Sequence, residues 1–262
     1  MKKLQLPSVT LVMVETREHA LARMAVDDCV RVADFGEVLI LTDIPKVFAG
    51  LNARVHQVAD WPSKEGWARA VWYDLPPLVK TSHMLLIQWD SWIWKPEMWR
   101  DEFLNYDLIG APWWYQDGKN VGNTGFALKS TVLARYIRDR RQKYPCDTSA
   151  EDDLLCRTYR RDLEAAGFRW APEAIAHDFA FECCRPSPTS QHFGFHALMN
   201  FPAVLDRSGL MERMQLVLAS PYIGDPNGYF LKAFCQKNPG IAEAVLRDIG
   251  ANDGVVKKLM TL

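Results

Sequence analysis

Met84-Leu-Leu-Ile-Gln-Trp-Asp90 is a short apolar run that ends on an acid. A buried strand that stops at a carboxylate places that carboxylate at the carboxyl edge of a sheet, and in open α/β folds that edge is where ligands bind. Further along come Val121-Gly-Asn-Thr-Gly-Phe-Ala-Leu-Lys-Ser130 and then Glu151-Asp-Asp153 at the start of a helical pattern. An acid at a strand end, a Gly-rich turn and an acid pair, in that order, point together to a metal-assisted nucleotide-sugar site. None of the three carries that reading alone.

The flanking segments supply the sheet. Val9–Val14 is rich in β-branched residues and reads as a first strand. From His19 to Ala33, Leu21, Ala25, Cys29 and Val32 share one helical stripe, with Arg23, Asp27 and Arg31 elsewhere. Gly36 is expected to stop this helix, and Glu37–Asp43 reads as a second strand. Strand, helix, strand implies a parallel pair with a right-handed crossover. Arg54–Val58 is a shorter strand, and Pro76-Pro77 breaks any helix within Trp67–Val79.

Beyond the central strand the pattern predicts a short helix over Pro96–Leu104, a strand over Asp107–Ala111, extended chain over Val121–Lys129 and a helix over Ser130–Gln142. Thr148 or Ser149 is placed to cap a helix from Ala150 to Ala166 that ends at Gly167. Arg169–Glu182 mixes strand and loop, and Arg185–Gln191, with its prolines and small polar residues, reads as a mobile loop. Ser208–Leu262 is mostly helical. The expectation is an α/β core over residues 1–205 and a helical C-terminal extension over 206–262 packed on it.

At 262 residues, 48% hydrophobic and 24% charged, the chain has ample material for a core. A formal net charge of -1 gives no hint of a general polyanion or nucleic-acid binder, and no nucleic-acid partner is expected. The one basic cluster, Arg138-Asp-Arg-Arg-Gln-Lys143, is broken by an acid and reads as a solvated helix face. Six cysteines without C-x-x-C spacing argue against a zinc ribbon or a disulfide scaffold. The apolar run Val9–Val14 is too short for a signal peptide and stops at Glu15, and no stretch is long enough to span a membrane. A cytoplasmic protein is expected, with peripheral membrane contact left open.

Asp90 is suited to a hard divalent ion that also holds a diphosphate, because Mg²⁺ and Mn²⁺ favour oxygen ligands and phosphates. Its structural alternative is a turn cap for Ser91–Trp94. Gly122 and Gly125 let backbone come close to a ligand, while Asn123 and Thr124 offer an amide and a hydroxyl to sugar hydroxyls. An ordinary turn explains them equally. Among Glu151 and Asp152, one carboxylate is a candidate general base, although acids in a first helical turn are favoured by the helix dipole alone. His196, in Phe193-Gly-Phe-His196, and His83, before the central strand, are candidate site histidines or plain structural ones; His177-Asp178 is a weaker pair. Ten tryptophans, among them Trp89, Trp92, Trp94, Trp99, Trp113 and Trp114, offer stacking faces or core filling.

Together, I-Q-W-D, Y-D-L-I-G-A-P-W, V-G-N-T-G-F-A-L-K-S, E-D-D-L-L-C and F-G-F-H resemble a bacterial family of glycosyltransferase-like domains described mainly as a domain of unknown function. The resemblance runs from about Leu6 to Asn200 and includes Val9-Thr-Leu-Val-Met-Val-Glu-Thr-Arg17. It implies a GT-A-like (Rossmann-like) mixed sheet flanked by helices. In that fold a D-x-D motif holds Mn²⁺ or Mg²⁺ against the donor diphosphate; here Gln88 replaces the first acid and Asp90 keeps the metal role. The resemblance further implies His196 as a second metal ligand, Asp152 with Glu151 as the base pair, and Asn123 and its turn against donor sugar or acceptor. Thr16 and Arg17, with His83, fall to the nucleotide side.

The function so implied is transfer of a sugar from a nucleotide-sugar donor, a UDP-sugar by preference, to a saccharide hydroxyl with inversion, under an Arg185–Gln191 lid. The rival expectations are a hydrolase of nucleotide-sugars or other phosphoesters and a non-catalytic glycan-binding module.

Overall fold

The spine of the fold is β1 (Leu4–Val14), an eleven-residue strand whose last six residues are all buried. Both of its neighbours are parallel: β2 (Ala33–Thr42) on one side and β4 (His83–Ile87) on the other. The computed structural model describes residues 2–61, 63–146, 150–183, 191–225, 228–251 and 253–260. The cap expected at Thr148 or Ser149 lies outside these residues, as does the Arg185–Gln191 loop except for Gln191.

Parallel neighbours need crossovers, and helices then cover the sheet so that its strands are apolar throughout. α1 (His19–Val32) makes the first crossover, burying Leu21, Ala22, Ala25, Val26 and Cys29. β3 (Arg54–Gln57) adds to β2 in parallel. α2 (Lys64–Arg69) continues into a π-helical turn at Ala70–Asp74; Ser63, whose hydroxyl accepts from the Gly66 N–H at 3.3 Å, starts it. The short strand β5 (Trp92–Ile93) follows β4. Then β7 (Phe126–Ser130) runs antiparallel to both β4 and β6 (Leu108–Gly110), giving the order β3-β2-β1-β4-β7-β6. This is a mixed sheet flanked by helices, as expected.

Three local expectations are corrected. The helix ends at Val32, and Gly36 lies inside β2 rather than stopping it. There a Cβ would come within 2.1 Å of the Pro7 carbonyl oxygen, at the irregularity between Leu6 and Thr10 in the β1–β2 register; the missing side chain serves close strand approach. Pro96–Leu104 is not one helix but two 3-10 turns, Pro96–Met98 and Asp101–Asn105. Between them Trp99 is extended, and its ring packs edge-on against Phe103 and Phe193 at 5.4 and 5.1 Å. The helix expected over Ala150–Ala166 is split: α4 (Glu151–Asp153), a π turn (Leu154–Thr158) and α5 (Arg160–Ala165), before Gly167 at φ 98°.

α3 (Thr131–Asp139) is capped by Ser130, whose hydroxyl accepts from the Leu133 N–H. It packs with Trp72, Leu155 and Leu163 on the face of the sheet formed by Val12, Leu39, Met84, Leu86 and Leu108. After α6 (Glu173–Phe179), β8 (Ala180–Phe181) and β9 (Gly194–Phe195) join β5 in a second sheet of order β5-β9-β8.

The chain divides into two compact units, Met1–His196 and Ala197–Leu262. The second is helical: α7 (Phe201–Val204), α8 (Arg207–Ala219), α9 (Tyr229–Lys237), α10 (Pro239–Asp248) and α11 (Asp253–Met260). Asp206 caps α8 through the Gly209 N–H at 2.8 Å, and Leu210, Met214, Leu231, Phe234 and Leu246 are buried. Among the described residues no helix is long and apolar enough to cross a membrane, and the described cysteines are free thiols.

Candidate active site

The parallel strands β1, β2 and β4 all end at one edge, and antiparallel β7 begins there: Met13 pairs with Ile87, Val14 with Leu41, and Ile87 with Phe126. Glu15, Asp43, Gln88 and the Gly122–Gly125 turn are therefore gathered by register alone. At the end of β1 one Glu15 carboxylate oxygen accepts from the backbone N–H groups of Thr16, Arg17 and Glu18 at 2.9, 2.8 and 3.2 Å. Burial nevertheless leaves this carboxyl above its usual range. Thr16 and Arg17 thus sit on the expected edge, where the Arg17 guanidinium donates to the Trp61 carbonyl at 3.3 Å.

Beyond β4 the chain turns at once. The fully buried Ser91 donates its hydroxyl to the Gly125 carbonyl at 2.6 Å, and the Gln88 N–H donates to the same carbonyl at 3.1 Å. This fixes Gln88–Asp90 to the start of β7. In the turn itself Asn123 takes φ 53°, a left-handed conformation that asparagine tolerates by bonding locally. Its side-chain oxygen accepts from the Gly125 N–H at 3.0 Å. The glycines face protein: a Cβ on Gly122 would lie 2.2 Å from the Trp113 ring, and one on Gly125 would lie 2.2 Å from His196 Nε2. Close approach is what they permit, as expected, but to side chains of the same chain.

His196 comes from the end of β9. Its Nε2 lies 3.4 Å from Asp90 Oδ1 and 3.3 Å from Gln88 Oε1, and its Nδ1 lies 2.9 Å from Glu182 Oε1. Glu182 follows β8, which runs parallel to β9, so the two side chains leave the small sheet at the same edge. Burial pulls the imidazole down, but Asp90 and Glu182 outweigh it and hold His196 well above its ordinary value.

The acid pair closes the site. Glu151 is buried, accepts from the Thr124 hydroxyl, and is pushed up to about 8 by burial and then by Asp152. Asp152 is also raised, by burial, with Glu182 and His196 within electrostatic reach. Lys129, fully buried in β7, is pulled below its usual range by burial, against the opposing charges of Glu151 and Asp152.

His83 is not brought to this cluster. It starts β4, at the opposite end of the strand from Asp90, bonded to Ser82 and the Tyr106 carbonyl, and burial lowers its basicity. The His177 ring packs on His192. Trp89 and Trp92 are buried, whereas Trp114 is 58% exposed. Glu182 and Lys129 are the participants that sequence reasoning did not single out.

Among the described residues no three His, Cys, Asp or Glu form a ready-made metal cage. The donors present still fit a hard cation shared with a phosphate. Neighbouring ligands on an octahedral ion at about 2.0–2.2 Å lie about 2.8–3.1 Å apart, and the 3.3–3.4 Å from His196 Nε2 to Gln88 and Asp90 is slightly wider, so these groups need to draw together by a few tenths of an ångström to share one. Nδ1 meanwhile keeps a carboxylate partner, the usual second support of a ligating histidine.

Residues 70–196 match the profile of a family described as a protein of unknown function (DUF5672). This stretch contains Asp90, the turn, the acid pair, Glu182 and His196, and leaves Thr16 and Arg17 outside. No curated protein matches the sequence. Among solved structures, a mannosyltransferase from Pyrobaculum calidifontis in complex with GDP-Man and Mn²⁺ is similar at 13% identity and TM-score 0.47, over 98% of this chain and 80% of that one. Mouse xyloside xylosyltransferase 1 is similar at 11% identity and TM-score 0.45, over 75% and 98%. Glucosyl-3-phosphoglycerate synthase from Mycobacterium tuberculosis, in complex with Mn²⁺, UDP and phosphoglyceric acid, is similar at 15% identity and TM-score 0.41, over 59% of this chain. The chain spans 64% of that synthase's length.

Proposed function

We propose that this chain is a metal-assisted glycosyltransferase that moves a sugar from a nucleotide-sugar donor, a UDP-sugar by preference, to a saccharide hydroxyl. The carrying observation is the convergence of Asp90, Gln88 and His196 with Asp152 at one sheet edge. That is a set able to hold a hard cation beside a base.

In this reading Asp90, His196 and the Gln88 amide oxygen hold Mn²⁺ or Mg²⁺. The ion supplies charge neutralisation on the departing diphosphate. Thr16 and Arg17 border the nucleotide, and the Asn123 turn borders the reacting sugar. Of the two acids, Glu151 at about 8 keeps its proton at neutral pH and is engaged by Thr124. Asp152 is the half-buried member, and its Oδ1 already accepts from the Asp153 N–H at 2.9 Å. Its Oδ2 is therefore the atom assigned to take the acceptor proton as the hydroxyl attacks the anomeric carbon, with inversion. The enzyme is proposed to act in the cytoplasm on saccharides or glycoconjugates, including ones at a membrane surface.

The test is a transfer assay with labelled nucleotide sugars, Mn²⁺ and a panel of saccharide acceptors. Acceptor-dependent product supports the reading. Release of free sugar that ignores every acceptor identifies a hydrolase, and no turnover with retained glycan binding identifies a binding module.

A further inference from the structure

A closed ring of contacts runs through Glu182. One of its carboxylate oxygens faces His196 Nδ1 at 2.9 Å, and the other accepts from the Asn123 side-chain amide at 2.5 Å. The Asn123 oxygen accepts from the Gly125 N–H at 3.0 Å. Gly125 returns to the start, since the space where its Cβ would stand is filled by the His196 ring, 2.2 Å from Nε2. The Gly125 carbonyl takes the Gln88 N–H and the Ser91 hydroxyl, so Gln88–Asp90 hangs on the same ring.

We propose that Glu182 is a positioning residue that orders the metal-facing histidine and the Asn123 turn as one unit. Without the carboxylate, the imidazole can rotate away from Asp90 and Gln88, and Asn123 loses the partner that aims its oxygen at Gly125. A carboxylate is needed rather than an amide. Both partners, His196 Nδ1–H and the Asn123 NH₂, are donors, and a glutamine at this position presents only one acceptor. Outer-shell partners of this kind are worth about 10–100-fold in metal affinity.

The proposal rests on the metal reading for its consequence but not for its geometry, and two measurements separate them. The first is Mn²⁺ affinity of the full chain, in the presence of UDP, for wild type, Glu182→Ala, Glu182→Gln and Asn123→Gly. Glycine keeps the left-handed backbone at position 123. Expected are a loss of about 10–100-fold for Glu182→Ala, an intermediate loss for Glu182→Gln, and an effect of Asn123→Gly that disappears when Glu182 is already alanine. The second is ¹H–¹⁵N NMR of the metal-free protein. A protected His196 Nδ1–H resonance is expected in wild type and in Asp90→Ala, and its loss in Glu182→Ala together with a shift of the Gly125 amide. If both resonances are unchanged in Glu182→Ala, or if Asn123→Gly and Glu182→Ala act additively, the proposal is overturned. Should wild type bind no Mn²⁺ while the NMR signature behaves as described, the metal reading falls and the positioning role stands.

Discussion

Thr124 donates its buried hydroxyl to Glu151, so one hydrogen bond ties the turn before β7 to the helical turn that carries Asp152. The two segments are far apart in sequence, and both border His196. Thr124→Val keeps the shape and removes the donor, leaving a buried carboxyl short of a partner. The expected cost is about 1–3 kcal/mol, measured by urea denaturation, with Thr124→Ser recovering much of it.

Glu151 makes stability depend on pH in an identifiable direction. Its folded value, about 8, lies above its ordinary 4.5. The group's contribution is therefore fully present below about 4.5 and is lost as pH rises towards about 8. Subtracting the Glu151→Gln stability curve from that of wild type should leave a difference that falls with pH across this window. Its slope should not exceed about 1.4 kcal/mol per pH unit. A flat difference would remove the assignment of a neutral Glu151.

Asp152→Asn should lower transfer by at least about 100-fold, the lower range for a removed general base, while the Kd for donor nucleotide stays within a few-fold. Steady-state kinetics and calorimetry on the same preparation check this. Undiminished transfer would move the base elsewhere.

Gly125→Ala should damage the site without removing any polar group, because the new methyl comes within 2.2 Å of His196 Nε2. Metal-dependent nucleotide binding should drop by an order of magnitude or more, on the scale of lost second-shell support. Gly240→Ala, where a Cβ meets nothing within 4 Å, is the control and should bind normally.

Much of this arrangement was readable from residue pattern. The β1–α1–β2 unit follows from strand and helix periodicity, and the placement of Asp90 follows from an apolar run that ends on an acid. What was not readable depended on contacts between distant segments. Gly36 carries the usual sign of a helix stop, yet its role is set by Pro7 on the neighbouring strand. The π turn at Leu154–Thr158 leaves no mark on a helical pattern, although such turns recur at functional sites. Glu182 is the instructive omission. Phe179-Ala-Phe-Glu182 is also an apolar run ending on an acid, and the rule that singled out Asp90 applied to it equally. Its run is too short to register as a strand without β9 beside it. His83 shows the converse: adjacency to the right strand in sequence placed it at the wrong end of that strand in space.

The most direct test of the central claim is thermal stability of wild type and Asp90→Ala with a panel of nucleoside diphosphates and nucleotide sugars, each with Mn²⁺ and with EDTA. Ligand that binds only the native state raises apparent stability by mass action. The account predicts that one nucleotide class stabilises wild type with Mn²⁺, that EDTA abolishes the shift, and that Asp90→Ala lacks it. No shift with any nucleotide, or a shift that survives both EDTA and loss of Asp90, would contradict it.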